Sequence, residues 1–141
     1  GPNIILRLEG GILSYLADID RSNNPYEVGL DWLVDLEQED DFIGKEALRL
    51  VCQNGPTKKL MGAEIHGDPI EDSNADHWPV FINGKKVGSM NAMAYSPRLD
   101  KNICYTILDI EHAKSGQEIV IAAPEKDLMA TTVDLPWRER A

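Results

Sequence analysis

The chain has 141 residues, which suits one domain and perhaps a fragment of another, and 43% of them are hydrophobic, enough to bury a core. Its net charge of −10 argues against a nucleic-acid partner, because displacing phosphate counterions takes clustered Lys and Arg. No apolar run approaches the ~20 residues of a membrane span, and neither Gly1-Pro2-Asn3 nor the short Ile4-Ile5-Leu6 reads as a signal peptide, so no membrane partner is expected. The acidic residues are spread along the chain, as on a solubilising surface, with recruitment of a basic partner as the alternative.

Apolar residues at Ile5, Leu8, Ile12, Tyr15 and Leu16 have helical spacing and predict a helix over 4–18. Gly10-Gly11 weakens that helix, a composition tolerated where something approaches the backbone closely. Asp18 to Pro25 is turn chemistry, and alternation over 28–36 (Val28, Leu30, Trp32 or Leu33, Leu36) predicts a strand. An acidic loop, Glu37 to Asp41, leads to a helix from about Ile43 to Cys52, with Asp41 as its N-cap and Asn54-Gly55-Pro56 as its stop.

Everything after that is strand-like: Lys59 to His66, Trp78 to Asn83, Lys86 to Met90, Asn102 to Leu108, Gln117 to Ala122 and Leu128 to Leu135. Asn83-Gly84 is a strong hairpin signal between the second and third. Short strands at regular spacing predict a small antiparallel barrel from about 58 to 136, in a chain that is mainly β with short helices (α+β). A boundary is expected near residue 40, within the acidic loop.

Cys52 and Cys104 sit in apolar settings and read as two buried free thiols, pointing to a reducing compartment such as the cytoplasm. His66, His77 and His112 have no ligand spacing; Asp68, Glu71, Asp72 and Asp76 lie near the first two, but no metal site is expected. No phosphate-binding glycine loop or Ser–His–Asp order is present. Arg7 stands out, because a charge on a largely apolar element is costly unless paired. Either it forms a salt bridge to an acid at a domain seam, or its fork faces a ligand with carboxylate or polar ring edges. Tyr15, two helical turns on, either covers a flat ligand or belongs to the core.

Several segments together resemble the aminomethyltransferase (glycine cleavage T-protein) family. Asn23-Asn24-Pro25-Tyr26-Glu27-Val28-Gly29-Leu30 matches its TTPLEAGL pattern, and Phe42-Ile43-Gly44-Lys45-Glu46-Ala47-Leu48 its FIGKEAL. Gly88, Tyr95-Ser96-Pro97 and Lys101-Asn102-Ile103 resemble its GxVTSGxxSPxLxKNIA loop, although Met90-Asn91-Ala92 stands where that loop carries TSG. Val133, Leu135, Pro136 and Trp137 resemble its closing VxxLPF. Within the family, the segments Glu9 to Tyr15, Asn23 to Glu27 and Tyr95 to Leu99 look closer to dimethylsulfoniopropionate demethylase and related folate-dependent demethylases.

The resemblance implies an antiparallel β-barrel over 41–141, preceded at 1–40 by the tail of a folate-binding α+β domain. It further implies a one-carbon transfer from a small methyl or aminomethyl donor to tetrahydrofolate, with Arg7 and Tyr15 lining the folate channel. The catalytic residues are expected upstream of Gly1, so the remaining N-terminal part of the enzyme is an expected partner. Self-association is expected too, because Leu8, Ile12 and Trp32 would face absent structure. Two other readings stay open: a non-catalytic folate-binding module, similar to the iron–sulfur assembly relatives, and a plain acidic interaction domain.

Overall fold

The computed structural model describes residues 2–14, 16–73 and 76–137. Six antiparallel strands dominate it: β1 (Lys58–Ile65), β2 (Trp78–Ile82), β3 (Lys85–Ser96), β4 (Lys101–Asp109), β5 (Glu118–Ala122) and β6 (Asp127–Val133). They close into a barrel in the order β1-β4-β3-β2-β5-β6, with β6 pairing back onto β1. Asn83 and Gly84 both take positive φ, 50° and 79°, as a two-residue hairpin turn between β2 and β3 requires. β3 runs six residues past the predicted Met90 and takes in Met93, Ala94 and Tyr95.

Inward side chains fill the barrel, among them Met61, Val80, Met90, Cys104, Leu108 and Ile121. The outer face of β1, β3 and β4 is also covered. Leu60, Ala92, Ala94, Ile103 and Tyr105 form a second apolar cluster with Leu8 and Trp137. These strands are therefore buried on both faces, which explains their nearly continuous apolar sequence. On β1, Gly62 leaves room for the Trp137 ring: a Cβ there would lie 2.7 Å from it. On β3, Asn91 is an extra residue between the pairs Met90↔Thr106 and Ala92↔Tyr105. This bulge turns Ala92 and Ala94 outward, towards the second cluster.

The predicted first helix is half as long as its periodicity suggests. Helix α1 spans Pro2–Gly10. The Gly11 N–H donates to the Leu8 carbonyl (3.2 Å) and the Ile12 N–H to the Arg7 carbonyl (2.9 Å), with Gly11 at φ 72°. That is the Schellman arrangement, so the glycine pair stops the helix rather than merely weakening it. Leu8, expected to be exposed, is fully buried against the barrel, worth about 2 kcal/mol. The predicted strand at 28–36 is absent: Asp31–Leu33 is a 3-10 turn and the rest is irregular. Among the described residues no barrel strand pairs with it, and alternation alone cannot hold a strand without a ladder.

The second helix, α2, spans Lys45–Asn54, with Gly44 rather than Asp41 at its N-cap. The Asp41 carboxylate accepts instead from the Phe42 N–H (3.0 Å). Gly55 follows the helix with a positive φ of 80°, next to the expected proline stop. Cys104 is buried as predicted, but Cys52 is exposed on α2, a helix in which Lys45 is the buried residue.

Gly62→Ala is expected to push Trp137 off β1 and cost about 1–3 kcal/mol, read as a lower urea midpoint. Burial pushes the Cys104 thiol from 9.0 up to about 12. The unfolded thiol therefore ionises first as pH rises. Stability that is fully present below pH 9.0 falls towards pH 12, with a slope of up to about 1.4 kcal/mol for each step of one in pH. Urea midpoints across that window should show the loss, and Cys104→Ala should flatten it.

Candidate functional site

Helix α1 ends on the outside of β3 and β4, and the polar groups of the chain converge at that seam. The Tyr105 hydroxyl, at the middle of β4, donates towards the carbonyls of Arg7 (2.9 Å), Ile12 (3.1 Å) and Leu8 (3.4 Å). The Arg7 and Leu8 carbonyls already accept the Schellman N–H groups of Ile12 and Gly11, so the hydroxyl adds a second donor where the helix ends. Burial pushes the Tyr105 hydroxyl well above the usual phenol range, with the Asp18 carboxylate adding to the shift and the Arg7 guanidinium opposing it.

Arg7 leaves the last turn of α1 and meets Asp18. Its Nη1 donates to Asp18 Oδ2, and the Ser14 N–H donates to the same oxygen (2.7 Å). The Asp18 side chain is fully buried, and the guanidinium lies 5.8 Å from the centre of the Tyr105 ring. Of the two readings of Arg7, the ion pair is present, and it is a partly buried one. Removing either partner would strand a charge, at about 3–5 kcal/mol. Tyr15, the other residue expected to line a ligand channel, lies outside the described residues.

Glu9 anchors the other side of the helix end. Ser96 Oγ donates to its Oε1, and Arg98 Nε donates to its Oε2 (3.0 Å). The Tyr95-Ser96-Pro97 segment is thus tied to the last turn of α1 across the seam. Sequence reasoning missed Asn91, which the β3 bulge turns out of the ladder. Its Nδ2 donates to the Asp18 backbone carbonyl (3.1 Å), and its Oδ1 lies 3.2 Å from His77 Nδ1. The substitution of Met90-Asn91-Ala92 for the family's TSG was the available signal.

A cleft of about 160 Å³ opens beside this network, lined by Asp18, Asp20, Lys58, His77 and Asn91 with Leu16 at its edge. Leu16 is 72% exposed at this edge, and Ile12 (60%) and Trp32 (75%) are large apolar side chains without cover elsewhere in the N-terminal segment. Ser22 hydrogen bonds hold the Asp20 carboxyl below its ordinary value. In the Asn23-to-Leu30 motif, the Asn24 side chain bonds both the N–H and the carboxylate of Glu27 (3.1 Å each), and the Glu27 carbonyl accepts from Leu60 N–H at the start of the barrel (2.6 Å). No helix among the described residues is long and apolar enough to cross a membrane.

Residues 58–137 match the family described as the glycine cleavage T-protein C-terminal barrel domain. The chain is 35% identical over 140 residues to an aminomethyltransferase of Synechococcus sp. strain CC9902, covering 99% of this chain and 38% of that protein. It is 36% identical over 143 residues to an aminomethyltransferase of Listeria welshimeri, covering all of this chain and 38% of that one. The glycine cleavage system aminomethyltransferase T from Bartonella henselae superposes with a TM-score of 0.82 at 23% identity, over 95% of this chain and 37% of its own, which speaks for the fold. The chain thus spans under two fifths of the length of these curated relatives. From the barrel to the closing Trp137, it belongs to the glycine cleavage T-protein C-terminal barrel family.

Proposed function

We propose that this chain is the C-terminal part of a tetrahydrofolate-dependent one-carbon transferase, in which residues 1–40 end a folate-binding domain and residues 41–141 form the barrel that packs over the site. The observation that carries this reading is the seam cleft: polar at its base, with uncovered Leu16 in its lining, in a chain matching about 38% of each relative. Its volume is below the ~300–1,000 Å³ of sites that enclose a ligand of drug size, so it fits one edge of a pteridine and not a whole folate. Exposed Asp20, Lys58 and His77 in its lining supply acceptors and donors for such an edge.

In this reading Arg7 and Tyr15 help to hold folate, and the apolar rim is covered by the N-terminal part of the enzyme. Bound tetrahydrofolate supplies the nitrogen that accepts the carbon. The residues of this chain orient that ring and keep water away; the groups that act on the donor lie upstream. The relatives named aminomethyltransferase favour an aminomethyl donor. A second donor class, a sulfonium methyl as in dimethylsulfoniopropionate, is favoured by the demethylase-like segments Glu9 to Tyr15 and Tyr95 to Leu99.

Calorimetric titration with tetrahydrofolate tests the reading. The complete enzyme should bind, the 141-residue chain alone weakly or not at all, and Arg7→Ala in the complete enzyme should weaken binding by about tenfold or more. Asp18→Asn is the control for the ion pair. If Arg7→Ala leaves affinity unchanged while lowering the melting temperature, Arg7 is structural. Tight binding by the isolated chain would overturn the shared site.

A further inference from the structure

A larger cavity, of about 650 Å³, lies at one mouth of the barrel. Neither Arg7 nor Asp18 lines it. Its volume is in the range of small-molecule sites, ~300–1,000 Å³. The floor is apolar: Trp78, Met93, Ile70 and Leu128, where the interior core comes to the surface. One wall is the loop after β1, and the opposite wall is the β5–β6 turn at Pro124 to Lys126.

The loop wall is fixed by buried Asn102. Its Nδ2 donates to the carbonyls of Asp68 (2.9 Å) and Ile65 (3.4 Å), and its Oδ1 accepts from the Ile70 N–H (2.9 Å). His66 is held to Thr131 Oγ1 at 2.9 Å. A wall with its backbone polar groups satisfied in this way keeps a cleft open without a ligand.

Charge selects the occupant. The exposed carboxylates of Asp68, Glu71 and Glu125 rim the opening, against the single ammonium of Lys126 among the lining residues. An anionic ligand such as a folate tail would be repelled. A cation would be drawn in, and half-buried Trp78 places an indole, whose π-system attracts positive groups, in the lining.

We infer that the barrel mouth is a second binding site, for a small organic cation that lays an apolar body on Trp78 and Met93 and directs an ammonium or guanidinium to the carboxylate rim. The site is independent of the folate seam. Nuclear magnetic resonance titration of the protein with 4-phenylbutylamine and with its matched anion, 4-phenylbutyrate, tests it. The amine should move the resonances of Ile70, Trp78 and Leu128 saturably, and bind at least about tenfold more tightly than the anion. Glu71→Gln with Glu125→Gln, both exposed and expected to leave the fold intact, should weaken the amine about threefold to tenfold and reduce its salt dependence. Equal binding of amine and anion, shifts confined to other residues, or no shift at all would overturn the inference.

Discussion

The arrangement of this protein depends on one hydroxyl. Tyr105 is rooted in β4, its ring lies in the outer apolar cluster, and its oxygen collects the carbonyls at the end of α1. A buried helix end is costly unless its orphaned acceptors find donors. The Schellman bonds at Gly11 and Ile12 serve the Leu8 and Arg7 carbonyls and stop the helix, and the Tyr105 hydroxyl, bonding at the same point, fixes how α1 lies on the barrel. Leu8 and Trp137 add apolar contact around the same point. The direction of Arg7, and through it the position of Asp18, follows from that docking.

The β3 bulge is the second constraint. Without an extra residue at Asn91, Ala92 and Ala94 would point into the barrel and the outer cluster would lose its floor. With it, the strand changes face and one amide side chain is freed to reach the Asp18 backbone. A single inserted residue thus serves both the packing of the helix and the polar lining of the cleft. Small residues on the outer face, Gly62, Ala92 and Ala94, are what let the ring of Trp137 and the body of α1 come close.

The barrel was legible in the sequence because its strands are bounded by unambiguous turn chemistry. Asn83-Gly84 and the Pro124-to-Asp127 segment mark where pairing must reverse, and apart from the far ends of β3 and β6 the strand ends follow to within a residue. The N-terminal forty residues were less legible for a physical reason. Apolar spacing reports which side chains seek cover, not what supplies it. In α1 the periodicity continued past Gly11, but the positive φ at that glycine ended the helix. At 28–36 the alternation was present but no strand lay alongside. Arg7 was identifiable as unusual, yet its partner, eleven residues away beyond a helix stop, could only be found in three dimensions. Asn91 stood out only within the Met90-Asn91-Ala92 departure from the family loop, because a bulge has no signature in composition.

The closed order of strands has a consequence for how this chain meets others. An open sheet offers a row of bare amides and carbonyls to any neighbouring strand, and is prone to template fibrous growth. Here β6 returns to β1, and β2 joins β5 through Val80 and Phe81, so the circuit has no open edge. Contact with another molecule must then use side chains and loops rather than a free strand edge. The exposed Ile12, Leu16 and Trp32 can stick to a complementary face, but they cannot recruit copies into an endless ladder.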